Sequence, residues 1–315
     1  MKNAPKLSIV IPCYNEEAVI AHTYKALCEK LDSLIAQKII DKDSFLCFVD
    51  DGSKDKTCEI LLALKGHEST HKIIKLTKNY GHQNALLAGL SYAKDKCDCV
   101  ISLDCDLQDD INLIDRFVES YASGYEVVYG VRNDRKEDSF FKRFSATAFY
   151  RLMKILGVDI VYNHADYRLL SNRALGHLLE FSEVNLFLRG IVPLLGFKST
   201  KLYYKRFARV AGQSKYPFFK MLSFAIDGIT SFSVKPLRIL TLLGAIIALF
   251  SFCVGVWALI TKAMGEAVSG WTSMVVSMYF LGGIQLLGLG IMGEYIGKIY
   301  RETKRRPLYF VEEIL

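Results

Sequence analysis

Charge is missing from two long stretches of the 315 residues: neither 239–261 nor 267–293 holds an Asp, Glu, Lys or Arg. As helices rising about 1.5 Å per residue they would reach roughly 35 and 40 Å, more than the ~30 Å of a bilayer's hydrocarbon layer. A core helix of a soluble domain seldom runs so far uncharged. Two transmembrane helices are expected, joined by the short loop Lys262 to Glu266. Acid is missing from a third stretch: Lys198 to Ile226 holds no Asp or Glu, but it does hold Lys198, Lys201, Lys205, Arg206, Arg209, Lys215 and Lys220. A basic stretch of this kind before a span points to anionic headgroups, a phosphate ligand, or both. The eight cysteines lack any paired metal spacing, and Cys97 and Cys99 have no His neighbours. They read as reduced packing residues of a cytoplasmic domain. The six histidines show no ligand spacing either and read as surface or core; His82 opens a helix in a loop near a ligand-binding strand end, where a contact is the alternative. Internal repeats and low-complexity segments are absent.

What is present bounds the class. A hydrophobic share of 51%, a charged share of 23% and a mean hydropathy of +0.20 exclude a disordered chain, a collagen-like repeat and a disulfide miniprotein. The length leaves room for one large domain or two ordinary ones. A net charge of +7 is modest for a nucleic-acid binder, and no nucleic-acid partner is expected. Lys235 and Arg238 precede the first span, Lys298, Arg301, Lys304, Arg305 and Arg306 follow the second, and Lys262 lies between. The positive-inside rule then puts both flanks in the cytoplasm. The run Leu7 to Ile11 stops at Pro12 and reads as a strand, not a signal peptide.

Short Val- and Ile-rich runs at Leu7–Pro12, Phe45–Asp50, Ile73–Leu76, Cys99–Leu103 and Val127–Val131 alternate with helical patterns near 17–36, 55–66, 82–94 and 111–123. Strands alternating with helices give an α/β, largely parallel, doubly wound sheet covered on both faces. Ligands bind such sheets beyond the carboxyl ends of the strands. Those ends read Pro12-Cys13-Tyr14-Asn15-Glu16, Asp50-Asp51-Gly52-Ser53 and Asp104-Cys105-Asp106. Residues 132–216 are less regular. From Pro217 to Val234 the positions Phe218, Met221, Leu222, Ala225, Ile229 and Phe232 keep a 3.6 period, as an interfacial amphipathic helix would.

Asp104 and Asp106 flank one residue after an apolar run, and alternate side chains in an extended chain share a face. Two carboxylates so close call for a cation, and oxygen ligands of this kind suit Mg²⁺ or Mn²⁺ with phosphate oxygens completing the shell. Gly52 permits a tight turn, and a Ser or Asp beside it can cap the next helix. Two adjacent carboxylates exceed what a cap needs; the hydroxyl and base N–H donors of a nucleoside would satisfy them.

Taken together, Leu7–Glu17, Val49–Ser53, Asn79–Gly89, Asp104–Asp109, Ala165–Leu170 and Arg209–Pro217 resemble the motifs of family 2 glycosyltransferases with the GT-A fold. The resemblance is to the polyprenyl-phosphate, dolichol-phosphate-mannose-synthase-like branch, and within it to the bactoprenol glucosyltransferases. It implies a GT-A-type mixed sheet over 1–216, an interfacial helix over 217–235, a transmembrane pair over 236–298 and a basic tail over 299–315. It also implies that Pro12, Tyr14, Glu16, Val49 and Asp51 hold base and ribose of a nucleotide-sugar. Asp104 and Asp106 would bind metal and diphosphate, with Cys105 between them and Gln108 near the sugar. Arg209, Ser214 and Lys215 would contact the donor diphosphate or the acceptor phosphate, and Arg132 would reach the nucleotide or form a salt bridge. Asp166 is the family's base, or an ion-pair partner of Arg168.

Where relatives continue with Pro-Pro-Glu, this chain has Asp110-Ile111-Asn112, and Asp109 or Asp110 could cap the next helix. The Gln-x-x-Arg-Trp motif of processive relatives is missing, so one sugar per lipid is expected. The resemblance implies a bacterial inner-membrane enzyme, multi-pass, with its catalytic domain cytoplasmic. It would move a sugar from UDP-glucose to undecaprenyl phosphate by an inverting displacement. The alternatives are UDP-N-acetylglucosamine or GDP-mannose as donor, another acceptor, or a non-catalytic nucleotide-sugar-binding subunit. Gly282, Gly283, Gly288, Gly290, Gly293 and Gly297 in the second span allow close helix contact, and a homo-oligomer through it is expected.

Overall fold

The computed structural model describes residues 4–65, 71–132, 164–183, 187–205, 233–264 and 270–315. They divide into two compact units, one holding every strand and the other the two long C-terminal helices.

In the first unit the five expected strands are β1 (Leu7–Cys13), β2 (Phe45–Asp50), β3 (Lys72–Leu76), β4 (Cys99–Ser102) and β5 (Val127–Arg132). Between them lie α1 (Ile20–Ala36), α2 (Thr57–Lys65), α3 (His82–Ala93) and α4 (Leu113–Ala122). β1 and β2 are buried along their whole length because helices cover both faces, which is why they read as unbroken apolar runs. On α1 the buried residues Ile20, Tyr24, Leu27, Leu31 and Leu34 repeat at three- and four-residue steps, one stripe turned to the sheet. α3 lies so close to β1 and β2 that a Cβ on Gly89 would stand 2.3 Å from Val10 Cγ1 and 2.8 Å from Val49 Cγ2.

Three strands come in addition. β6 (His164–Ser171) is followed by α5 (Asn172–Leu178) and α6 (Leu188–Leu194), then by β7 (Ser199–Tyr204). The last strand, β8 (Val311–Ile314), pairs antiparallel with β3, so the sheet runs β7-β5-β6-β4-β1-β2-β3-β8. The basic tail expected over 299–315 is corrected accordingly: a helix continues to Lys304, and Val311–Ile314 belong to the sheet. Four residues carrying two glutamates give too short a signal to be read as a strand.

Polarity fixes where the site lies. β1, β2, β3 and β4 run parallel, and β6 is antiparallel to both β4 and β5. β7 runs parallel to β5. The carboxyl ends of β1 to β5 and β7 therefore share one edge with the amino end of β6.

In the second unit, α7 (Lys235–Ala263) and α8 (Trp271–Lys304) span about 43 and 50 Å at 1.5 Å per residue. Both contain windows long and apolar enough to cross a membrane, Lys235–Val254 and Phe280–Lys304. Their apolar side chains are not core: Phe250 is 69% and Leu286 71% exposed. Exposed apolar surface of this extent marks a membrane or protein interaction surface, and the two apolar helices are consistent with membrane association. A Cβ on Gly288 would meet Leu240 at 3.3 Å, which marks where α7 and α8 approach. Gln285 and Glu294, costly in lipid, are exposed. The expected interfacial helix over 217–235 falls outside the described residues up to position 232; Ser233 and Val234 precede α7, which already includes Lys235.

Candidate active site

Three loops at the shared edge are tied to one another. Asn15, at φ 52°, donates its N–H to Ser53 Oγ at 3.0 Å and accepts the Lys54 N–H on Oδ1 at 2.8 Å. The Glu16 N–H reaches Thr57 Oγ1 at 2.8 Å, and Glu17 exchanges contacts with Asp55 and the Lys56 N–H. The third loop is held by Asp51, 2% exposed, which accepts the N–H groups of Tyr80 at 2.7 Å and Gly81 at 2.9 Å, one on each oxygen. Burial pushes the Asp51 carboxyl up, and those two hydrogen bonds pull it back. Gly52 (φ 63°) makes the crossing possible: a Cβ there would stand 2.5 Å from the carbonyl carbon of Lys78. Two adjacent acids beyond the need of a cap are thus accounted for in part, with Asp51 organising the loop that precedes α3.

The second half of the site is a ring of carboxylates. The strand itself ends at Ser102, yet alternation persists beyond it. Asp104 and Asp106 are partly exposed, while Cys105 between them is buried against Cys13, its carbonyl accepting the Thr23 hydroxyl at 2.6 Å. Leu107 follows in the left-handed region at φ 50°, a non-glycine residue held there by the Gln108 N–H bonding Asp106 Oδ1 at 3.2 Å. Burial pushes the Asp104 carboxyl up; His82 opposes this, and Asp109, Asp166 and Asp106 add to it.

Asp166, whose side chain is 5% exposed, faces Asp104 from the start of β6. It pairs with Arg168 and with Arg189 on α6, whose Nη2 lies 2.9 Å away. Gln83 Nε2 adds a contact at 3.4 Å. Burial alone would raise the Asp166 carboxyl, but Arg189 and Arg168 outweigh it and hold it far below the usual carboxylate range. Of the two readings open for Asp166, the ion pair with Arg168 is present, extended by Arg189. Such a carboxylate is a poor proton acceptor and a good clamp.

Arg132 is likewise paired, with Asp109 at 3.3 Å and the Tyr204 hydroxyl at 3.3 Å, while Tyr204 donates to Asp109 at 2.5 Å. The salt bridge expected of it is formed, with Asp109. Asp110 rather than Asp109 prepares the next helix, accepting the Asn112 N–H at 3.0 Å. Among the other residues expected around the donor, Tyr14 is exposed and Glu16 partly so, both at the edge. Pro12 and Gln108 are buried. Val49 is a correction: its side chain is fully buried against α3 and offers nothing to a ligand. Arg209, Ser214 and Lys215 lie outside the described residues.

His82, expected at the start of a helix near the donor, has its Nε2 3.5 Å from Asp104 Oδ1 and 3.7 Å from Asp166 Oδ2, partners that the sequence did not name. No spacing rule could find them, because they lie 22 and 84 positions away and meet only through the sheet.

Among the described residues no group of three or more His, Cys, Asp or Glu forms a metal centre of its own. The donor set fits a different kind of site, in which Mg²⁺ or Mn²⁺ takes one or two carboxylates and completes its shell with phosphate oxygens and water. Burial first and then repulsion from Asp109, Asp166 and Asp106 raise Asp104, and such a cation would relieve the repulsion.

Residues 8–179 match the family model described as glycosyl transferase family 2. The chain is 52% identical to an uncharacterized glycosyltransferase, YkoT, of Bacillus subtilis (strain 168), over 99% of this chain and 92% of that one. It is 40% identical to the bactoprenol glucosyl transferase of Shigella phage SfX, over 98% of this chain and 99% of that protein. Among solved structures, a glucosyl-3-phosphoglycerate synthase from Mycobacterium tuberculosis aligns over 73% of this chain and 80% of that one, at 16% identity and a TM-score of 0.47.

Proposed function

We propose, from the premise that the chain belongs to glycosyl transferase family 2, that it moves one sugar from UDP-glucose to a polyprenyl phosphate, undecaprenyl phosphate in a bacterial cell. The observation that carries the reading is the match to a bactoprenol glucosyl transferase over 99% of that protein's length, the long apolar helices included. The enzyme would sit in the inner membrane as a multi-pass protein with its sheet-bearing unit in the cytoplasm, where both UDP-sugars and the lipid phosphate are accessible.

In this reading the lipid phosphate oxygen forms a bond to the anomeric carbon as the bond to the nucleoside diphosphate breaks, with inversion. A phosphate monoester has a second pKa of about 6 and is largely dianionic at neutral pH, so no general base is needed. Asp166, clamped by Arg168 and Arg189, suits an orienting part better than that of a base. Asp104 and Asp106 would hold Mg²⁺ or Mn²⁺ at the diphosphate, where the ion supplies charge neutralisation of the leaving group. Arg209 and Lys215 would add positive charge on the same side. Tyr14, Glu16 and the loops tied by Asp51 would receive the nucleoside. A homo-oligomer joined through α8 would cover the exposed Glu294 and Gly283, Gly290 and Gly297, beside which no described residue lies within 4 Å of an added Cβ.

The test is a donor panel. Membranes holding the full chain are given undecaprenyl phosphate and radiolabelled UDP-glucose, UDP-N-acetylglucosamine or GDP-mannose, and lipid-extractable label is counted. Label from UDP-glucose supports the reading. No lipid label from any donor refutes it, and label from another donor corrects the sugar.

A further inference from the structure

His82 stands in a fixed frame. The two peptides before it donate to Asp51 at 2.7 and 2.9 Å. The residue after it, Gln83, reaches Asp166 through Nε2 and accepts the Leu188 N–H through Oε1 at 3.2 Å. The first turn of α3 is therefore pinned from both sides, by β2 through Asp51 and by β6 and α6 through Gln83. The His82 ring, 43% exposed, projects from that turn so that one nitrogen, Nε2, lies within 4 Å of two carboxylates from different strand ends. The two carboxylates differ. Asp166 is immobilised by two guanidinium groups, whereas the Asp104 side chain is 30% exposed and, among the described residues, lies within salt-bridge distance of His82 alone. A ring lying between the two, 3.7 Å from the fixed carboxylate and 3.5 Å from Asp104, limits the directions in which the Asp104 side chain can turn.

We propose that His82 is a positioning residue that holds the Asp104 carboxylate toward the donor side, coupling the nucleoside loop organised by Asp51 to the carboxylate pair of the cation site. The proposal rests on the cation reading of Asp104 and Asp106 given above. It uses the reach of Nε2 and not a change in its protonation. Groups that orient a ligating carboxylate commonly set a tenfold or greater share of metal affinity, so removing the ring costs about tenfold in cation affinity.

The test titrates Mn²⁺ into the purified full-length chain in detergent, following the free-ion electron paramagnetic resonance signal, with and without UDP. The variants are His82→Ala, His82→Gln, whose amide nitrogen can occupy the place of Nε2, and Asp104→Asn. His82→Ala should bind Mn²⁺ about tenfold more weakly. His82→Gln should recover most of that loss, and Asp104→Asn should bind weakly whether or not His82 is present. Unchanged affinity in His82→Ala overturns the proposal, as does a His82→Gln chain no better than His82→Ala, which would show a merely structural role for the ring. Wild-type chain that binds no Mn²⁺ even with UDP overturns both this proposal and the cation reading. Wild-type chain that binds Mn²⁺ but moves no sugar to lipid overturns the function alone and leaves the His82 result standing.

Discussion

Gly52→Ala measures how tightly the loops after β1, β2 and β3 are interlocked. The new Cβ would stand 2.5 Å from the Lys78 carbonyl carbon, 2.7 Å from its Cα and 2.8 Å from the Asn79 nitrogen, all backbone atoms that cannot swing aside. The residue also sits at φ 63°, where an alanine costs about 1 kcal/mol. If the loop retreats, the Tyr80 or Gly81 N–H loses its bond to the Asp51 carboxylate, worth about 2 kcal/mol to a charged acceptor. The sum is about 3 kcal/mol. Gly124→Ala is the matched control: φ is 86° but nothing lies within 4 Å, leaving the backbone cost of about 1 kcal/mol alone. For a domain of this size 1 kcal/mol moves the melting midpoint by about 2–4 °C, so scanning calorimetry should separate the two by about 4–8 °C. Donor affinity should fall in Gly52→Ala and hold in Gly124→Ala. Equal melting midpoints would refute the close approach, and unchanged UDP binding in Gly52→Ala would refute its link to the donor.

Three further outcomes follow from the packing. Gly89→Ala should destabilise by about 1–3 kcal/mol through its clash with Val10 and Val49. Adding Val10→Ala should restore part of that loss, and strictly additive costs in denaturant melts would contradict the contact. Asp166→Asn leaves the buried Arg168 without its carboxylate and should cost about 3–5 kcal/mol. Because the folded Asp166 carboxyl lies below its unfolded value, its contribution is complete above the ordinary carboxylate range and drains as pH falls. The stability gap between wild type and Asp166→Asn should therefore hold from neutrality to about pH 5 and narrow below about pH 4; a gap that widens on acidification would contradict the ion-pair assignment. Tyr204→Phe should cost about 1–3 kcal/mol by stripping Asp109 of a buried donor, and melts that do not move would show that this hydroxyl carries no net stability.

Much of the sheet could be read from the chain because β1, β2, β4 and β5 are nearly continuous apolar runs and β3 keeps Ile73, Ile74 and Leu76 buried, and their ends fall within two residues of the pattern. β6 could not be read this way. Its Asp166 and Arg168 alternate with Tyr167 and Leu169 inside the core, so a strand buried on both faces looks half polar. The charges are tolerated there because they pair with each other and with Arg189. β8 is too short to announce itself and finds its place by pairing with β3, some 240 residues earlier in the chain. The acid pair 104/106 stands out in the chain as a candidate cation site, since residue type and strand-end position both matter to such a site. What linear spacing does not carry is which side chains gather there: His82 reaches Asp104 and Asp166, and Gln83 and Arg189 reach Asp166, from α3 and α6 by way of the fold.

The carboxylates that follow β4 are tested most directly by one comparison in membranes, with labelled UDP-glucose and undecaprenyl phosphate supplied to wild-type and Asp106→Ala chains. Each is assayed after chelation of divalent ions and again after Mg²⁺ or Mn²⁺ is restored. Wild-type transfer to lipid should vanish on chelation and return with either ion, and Asp106→Ala should transfer nothing under any condition. Full transfer by Asp106→Ala, or wild-type transfer indifferent to the ions, would contradict the account.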